Sequence, residues 1–380
     1  MRYIDLVRNI IPVILVLLLV ILTAIFLSRE NVNLDPGQAP LSPSLQTTNN
    51  AKEDIKVIAQ NLDTPWSIAF LPDKSFLVTE RPGRVSLVTA EGKLDPTPVT
   101  TIEEVQEAGE GGLLGTAVHP DFSANHYVYF YYTYSESGGN TLNRVVRMRF
   151  EDNKLSDQEI IVNEIPGASN HNGGRIKFGP DGYLYITTGD AQNPSLAQDT
   201  DSLAGKILRV TDTGQNPSGN PFNNTIYSYG HRNPQGLAWD DSGRLWSTEH
   251  GSSNRDEINL IKSGQNYGWP EIQGDESRDD LVGPVANSGN NTTWAPAGAV
   301  FVNKSLFFGG LRGQALYEAV IEDNQVKEIK EHFKGEFGRI RDVVVDPGNF
   351  LYVSTSNRDG RTNPGASDDK IIRINPNSLQ

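Results

Sequence analysis

A histidine set between two asparagines and two glycines opens the chemistry of this chain. Ser169-Asn170-His171-Asn172-Gly173-Gly174-Arg175 stands just before the strand-like run Ile176-Lys177-Phe178. Small and amide neighbours leave an imidazole accessible, and imidazole moves protons near neutral pH. A solvated or structural loop histidine carries the same signature, so the role of His171 turns on what the fold brings to it.

Other stretches hold groups suited to binding. Gly230-His231-Arg232-Asn233-Pro234-Gln235-Gly236 places an arginine beside an asparagine in a loop bounded by glycine and proline. Such a pair can grip an anionic or carbonyl-bearing ligand, although a surface arginine has the same letters. Thr248-Glu249-His250-Gly251-Ser252-Ser253-Asn254-Arg255-Asp256-Glu257 is rich in oxygen donors but lacks the Asp-x-Asp spacing of an EF-hand. Calcium takes carboxylates and the carbonyls of irregular backbone; a solvated acidic loop is the competing reading. In Gly338-Arg339-Ile340-Arg341-Asp342 the two arginines are two residues apart and share one face of a strand. They repel unless an anion lies between them, either a ligand with several carboxylates or an acidic neighbour such as Asp342. Asp190 closes a strand-like Ile186-Thr187-Thr188-Gly189. Glu110-Gly111-Gly112-Leu113-Leu114-Gly115 offers backbone freedom for close approach by another group, or is simply a connecting loop.

These groups need a scaffold, and the scaffold is a repeat. A short apolar strand leads into a Pro-Asp or Asp-Gly type turn, then a second strand rich in Leu, Tyr, Val and Thr. Such turns fall near residues 72, 120, 180, 240, 303 and 346, the fifth copy being weaker. The period is roughly 45–60 residues, and each unit is a hairpin with flanking strands, as a propeller blade requires. Six units predict an all-β, six-bladed β-propeller with a central channel over residues 54–380. An ordinary β-sandwich does not predict six similar turns.

Ahead of the repeat, residues 10–27 form an almost unbroken apolar run, preceded by Arg2 and Arg8. Its length at helical rise is roughly 27 Å, close to the hydrocarbon thickness of a bilayer. A transmembrane anchor is expected at 10–27, with residues 1–9 cytoplasmic and the propeller on the extracytoplasmic side of the cell membrane. Secretion after signal cleavage is the alternative, but Ser28-Arg29-Glu30 lacks an Ala-x-Ala-like site. Residues 28–53 are rich in Pro, Ser, Thr, Gln and Asn and read as a flexible linker. A formal charge of −14 opposes nucleic-acid binding, and the absence of cysteine excludes disulfides and thiolate chemistry.

Taken together, five stretches resemble the soluble-type pyrroloquinoline quinone (PQQ)-dependent glucose and aldose sugar dehydrogenases. They are 112–122, 171–182, 230–237, 249–270 and 339–342, in family order across nearly all of residues 56–376. The resemblance implies a six-bladed propeller, PQQ and calcium as cofactors, and oxidation of an aldose sugar at C1 to a lactone. It makes His171 the general base, with hydride passing to the quinone. Arg232 and Asn233 would contact the quinone oxygens, with Arg232 stabilising charge there. Arg339 and Arg341 would hold PQQ carboxylates. The carbonyls of Gly251 and Ser252 would hold the calcium at the cofactor, and Glu257 and Tyr267 a second, structural calcium.

Three positions of the implied cofactor set depart from the well-studied glucose enzymes. Glu110 stands where they have glutamine, Asn170 where they have an acidic residue, and Arg312 where they have lysine. Two other readings compete: a non-catalytic calcium-binding propeller that binds glycans or proteins at the cell surface, and a lactonase-like propeller hydrolase. The sugar and the electron acceptor are not named by the sequence.

Overall fold

The computed structural model describes residues 54–136 and 139–379. The expected anchor at 10–27 and linker at 28–53 lie outside the described residues. Among the described residues no helix is long and apolar enough to cross a membrane.

Six four-stranded antiparallel sheets stand in a ring, as the repeat predicts. Their inner strands are β2 (Pro65–Phe70), β6 (Leu113–Val118), β10 (Ile176–Phe178), β14 (Pro234–Trp239), β18 (Pro296–Val302) and β22 (Ile340–Val345). The ring closes through β1 (Ile55–Ala59), which pairs with β24 (Ile371–Ile374) at the outer edge of the last blade. Buried side chains fill the wedges between blades. Leu77, Val85 and Leu87 of the first blade, for example, pack with Val128, Phe130 and Val146 of the second. Strands buried on both faces read as continuous apolar runs. In β7 (Tyr127–Ser135), residues 128–134 are all buried.

The turns that mark the repeat are closed by their own aspartates. The Oδ1 atoms of Asp73, Asp181, Asp240 and Asp346 accept the N–H groups of Ser75, Tyr183, Ser242 and Gly348 at 3.0, 3.3, 2.9 and 2.8 Å. This is the Asx-turn that short acidic side chains favour. In the second blade His119 Nδ1 replaces the carboxylate, accepting from Asp121 N–H at 2.9 Å. The weaker fifth copy is a tighter turn through Asn303 and Lys304, both left-handed at φ 50° and 68°.

All six turns connect the first and second strands of a blade, so they lie at one end of the ring. The second-to-third strand loops and the blade-to-blade crossings lie at the other end. At that end the inner strand slips register against its neighbour in five blades, between Pro65/Ser67, Leu113/Thr116, Pro234/Gly236, Pro296/Ala299 and Ile340/Asp342. Such bulges re-aim side chains and cluster beside active sites.

Candidate active site

Blade-to-blade crossings deliver Glu110, His171 and Arg232–Asn233 to the bulged end, each just ahead of an inner strand. Loops after second strands add Asp190, residues 249–257, Arg312 and Asp359 to the same mouth. Residues scattered over 250 positions of sequence therefore share one opening.

His171 takes a left-handed backbone, φ 62°. Its N–H donates to Glu110 Oε2 at 3.3 Å and its carbonyl accepts from Ala191 at 3.2 Å. The loop lies so close to the end of β11 (Leu184–Thr188) that a Cβ on Gly189 would sit 1.9 Å from the His171 carbonyl oxygen. The imidazole Nδ1 pairs with Asp190 Oδ1 at 2.7 Å, and the Asp190 side chain is fully buried. Asp190 is held in turn by Trp269 Nε1 at 2.8 Å and Gln192 N–H at 2.9 Å. A buried carboxylate accepting from Nδ1–H fixes the tautomer that leaves Nε2 as the base.

Cations surround this dyad. Arg232 lies with its guanidinium 5.3 Å from the Trp269 ring centre, so base and cation share one support. Glu249 organises the turn, accepting the backbone N–H groups of Arg232 and Asn233 and, through Oε2, His231 Nδ1 at 2.8 Å. Asn233 is fully buried and accepts Gly173 N–H at 3.0 Å. Arg339 and Arg341 are both buried. The anion between them is not Asp342 but Asp359, 2.7 Å from Arg339 and 3.9 Å from Arg341. Asp342 instead pairs with Arg175 at 3.0 Å. One carboxylate for two guanidiniums leaves a deficit: burial pushes Arg341 down to about 9, against the pull of Asp359. Guanidiniums keep their proton, so that shift measures a burial cost awaiting an anion. Buried groups at the mouth with no partner among the described residues include Arg232 Nε, Asn233 Nδ2, Arg341 Nε and His250 Nε2. Unpaired buried donors are costly, and a ligand with carboxylate and quinone oxygens fits them.

The 249–257 loop suits a hard cation. The Gly251 and Ser252 carbonyls accept no hydrogen bond among the described residues. Glu257 shares a pocket with Glu249 and Tyr267. Burial and the charge of Glu249 push Glu257 up to about 8, and Gln273 Oε1 nearby has no donor. A buried carboxylate, a half-buried one beside it and an orphaned oxygen are relieved by calcium. Tyr267 has its hydroxyl engaged, donating to Leu260 O at 2.7 Å and accepting Lys262 N–H at 2.8 Å. Only its carbonyl is free for a metal. No cluster of three or more carboxylate or histidine side chains surrounds a common point among the described residues, so carbonyls would supply much of the coordination.

At the rim, Glu110 and Asn170 meet through Arg361, an arginine outside the sequence-derived set. Arg361 Nη2 is 2.9 Å from Glu110 Oε1 and 3.5 Å from Asn170 Oδ1. Burial pushes the Glu110 carboxyl up, but His250, Arg361 and Arg341 outweigh it and hold the group below its ordinary value. Glu110 is thus a neutralised carboxylate tied to the chain's own groups. Arg312 is exposed, next to Leu311, whose carbonyl accepts from Arg339 Nη1 at 3.1 Å.

The family model for glucose/sorbosone dehydrogenases matches residues 62–367. The chain belongs to this family. It is 33% identical to an aldose sugar dehydrogenase of Escherichia coli (strain K12), over 82% of this chain and 92% of that one. It is 35% identical to quinoprotein glucose dehydrogenase B of Acinetobacter calcoaceticus, over 66% of this chain and 59% of that one. Among solved structures, the PQQ-bound aldose sugar dehydrogenase of Streptomyces coelicolor superposes with a TM-score of 0.79 at 39% identity, covering 84% of this chain and 97% of that one.

Within this glucose/sorbosone dehydrogenase, sequence reasoning missed Asp359, Trp269 and Arg361, and it named Asp190 and Glu249 without giving either its partners. Asp190 and Glu249 left a signal, as acids at the end of a second strand. The others act across blades, which spacing along the chain does not show.

Proposed function

We propose that the chain oxidises aldose sugars at C1 to lactones, dependent on PQQ and calcium, with His171 as general base. The observation that carries this reading is the His171–Asp190 pair opening beside the orphaned donors of Arg232, Asn233 and Arg341. Asp190 holds Nδ1–H, so Nε2 is presented as a fixed acceptor for the proton of the C1 hydroxyl. Arg232, Asn233, Arg339 and Arg341 bind and orient the carboxylates and quinone oxygens, and Arg232 is placed where negative charge develops. The Gly251 and Ser252 carbonyls hold calcium at the cofactor, and Glu257 with the Tyr267 carbonyl holds a second ion. When bound, PQQ supplies the two-electron acceptor for the hydride leaving C1, polarised by calcium. A lactonase-like hydrolase calls for a carboxylate-rich channel, whereas the carboxylates at this mouth are paired with cations, histidines or amides.

Purified chain reconstituted with PQQ and calcium, then given a panel of aldoses, should reduce a redox dye. Absence of turnover on every sugar, together with no cofactor uptake by absorbance titration, overturns the proposal. For location, residues 10–27 are taken as an uncleaved anchor holding the propeller outside the cell. N-terminal sequencing of the membrane fraction tests it, since a mature start beyond residue 27 would indicate secretion.

A further inference from the structure

Below the mouth the axial channel does not fill. A cavity of about 240 Å3 is lined from all six blades, by Ser67, Thr116, Lys177, Leu237, Ala299 and Asp342 among others. Arg175 and Asp342 cross it as a buried ion pair. Gly298 makes room for them: a Cβ there would lie 2.0 Å from Asp342 Oδ1 and 2.8 Å from Arg175 Nη2. The Trp66 ring lies between this pair and the mouth, 4.3 Å from the Arg175 guanidinium and 5.7 Å from that of Arg341. The cavity is therefore separate from the proposed cofactor site.

Its polar groups do not balance. Asp342 is fully engaged, since beyond Arg175 it accepts Val343 N–H at 3.0 Å and Ile68 N–H at 2.9 Å. Arg175 Nη2 and Thr116 Oγ1 are buried with no partner among the described residues. Lys177 Nζ reaches only Leu237 O, at 3.5 Å. Arg175, Lys177 and Asp342 are the charged groups that line the cavity, two cations against one anion. Burial pushes Lys177 down to about 8, against the pull of Asp342 and with the push of Arg175. It keeps its proton at neutral pH, so the excess charge persists. A half-buried cation beside unfilled buried donors is better compensated once an acceptor of opposite charge arrives.

We propose that this cavity is a binding site for a small monovalent inorganic anion of halide size, held by Lys177, the free Arg175 Nη2 and the Thr116 hydroxyl. The one-unit deficit sets the valence. The remaining lining is mostly apolar, with the Ser67 hydroxyl as its one further polar side-chain group, too few donors for the extra oxygens of sulfate or phosphate.

Crystals of the chain soaked in bromide and measured for anomalous scattering test the site directly. A bromide peak is expected within hydrogen-bond distance of Lys177 Nζ. Bromide at a hundredfold excess over its Kd should raise the melting temperature by roughly 4 °C at constant ionic strength. Both effects should vanish in Lys177→Met and fall at least tenfold in affinity in Thr116→Val, the milder variant should the first not fold. Water alone in the cavity, bromide only on the surface, or binding unchanged in both variants overturns the proposal. Neither readout uses sugar, quinone or calcium, so the outcome is independent of the redox reading.

Discussion

At the turn end of the ring, Asp73, Asp181, Asp240 and Asp346 each bond a backbone N–H two residues further on. At the mouth, the partners are far apart: Asp190 is 19 residues from His171, Asn233 is 60 from Gly173, and Gln235 is 106 from Arg341. One end consists of repeated, self-sufficient corners; the other is a single non-repeating network with buried charge and unfilled donors. Stability is expected to depend on the first and activity on the second.

Substitutions can break that contrast. The largest effect should come from His171→Ala, which should lower kcat for sugar oxidation by about 10³-fold while the melting temperature stays near wild type. Dye reduction and thermal melting measure the two together, and retained turnover would place the base elsewhere. Asp240→Ala should do the reverse. Its carboxylate accepts from Ser242 N–H, Arg244 and the buried Trp246 Nε1, the last at 2.8 Å. The loss should cost about 3 kcal/mol, with kcat per folded molecule unchanged.

That second variant has a pH signature. Burial raises the Asp240 carboxyl, but its bonds from Trp246 and Arg244 prevail and hold it below its ordinary value. A depressed folded value contributes stability that is fully present above the unfolded value and lost as pH falls through the folded one. The melting gap between wild type and Asp240→Ala should therefore be constant near neutrality and close in acid. A gap that instead widens in acid would reverse the assignment.

Glu110→Gln sits on the boundary of the comparison, because its ion pair joins a largely buried carboxylate of the mouth to an exposed arginine at the rim. A several-fold change in KM, with kcat nearly kept and melting shifted by less than about 1 °C, is expected. A loss of kcat as large as that of His171→Ala would move Glu110 into the proton-transfer machinery. The smallest effect should come from Asp346→Ala at an exposed turn, roughly 0.5–1 kcal/mol by denaturant titration.

The same contrast explains what could be read from the sequence. The propeller was legible because each corner writes its chemistry into four or five consecutive residues, and the copies recur. Even the weak fifth corner is legible afterwards, as two left-handed residues replace the aspartate. At the mouth, single residues were legible as types, such as His171, Arg232 and the Arg339–Arg341 pair, but their partners were not. Asp359 rather than Asp342 answers the arginine pair, and Asp342 pairs with Arg175 instead. Strict alternation already puts Asp342 on the face opposite Arg339 and Arg341, and the carboxylate that answers them comes from a separate loop that spacing along the chain does not show.

The seam between β1 and β24 has a mechanical consequence. Ile55 faces Ile374 and Ala59 faces Ile371, so the outward ends of both strands leave the sheet at the same point. Tension applied between residue 54 and residue 379 would part this antiparallel ladder one rung at a time, as a zipper, rather than shearing all rungs at once. The ring should thus open at low force and at one defined blade, leaving the other five sheets intact while the first contacts are lost.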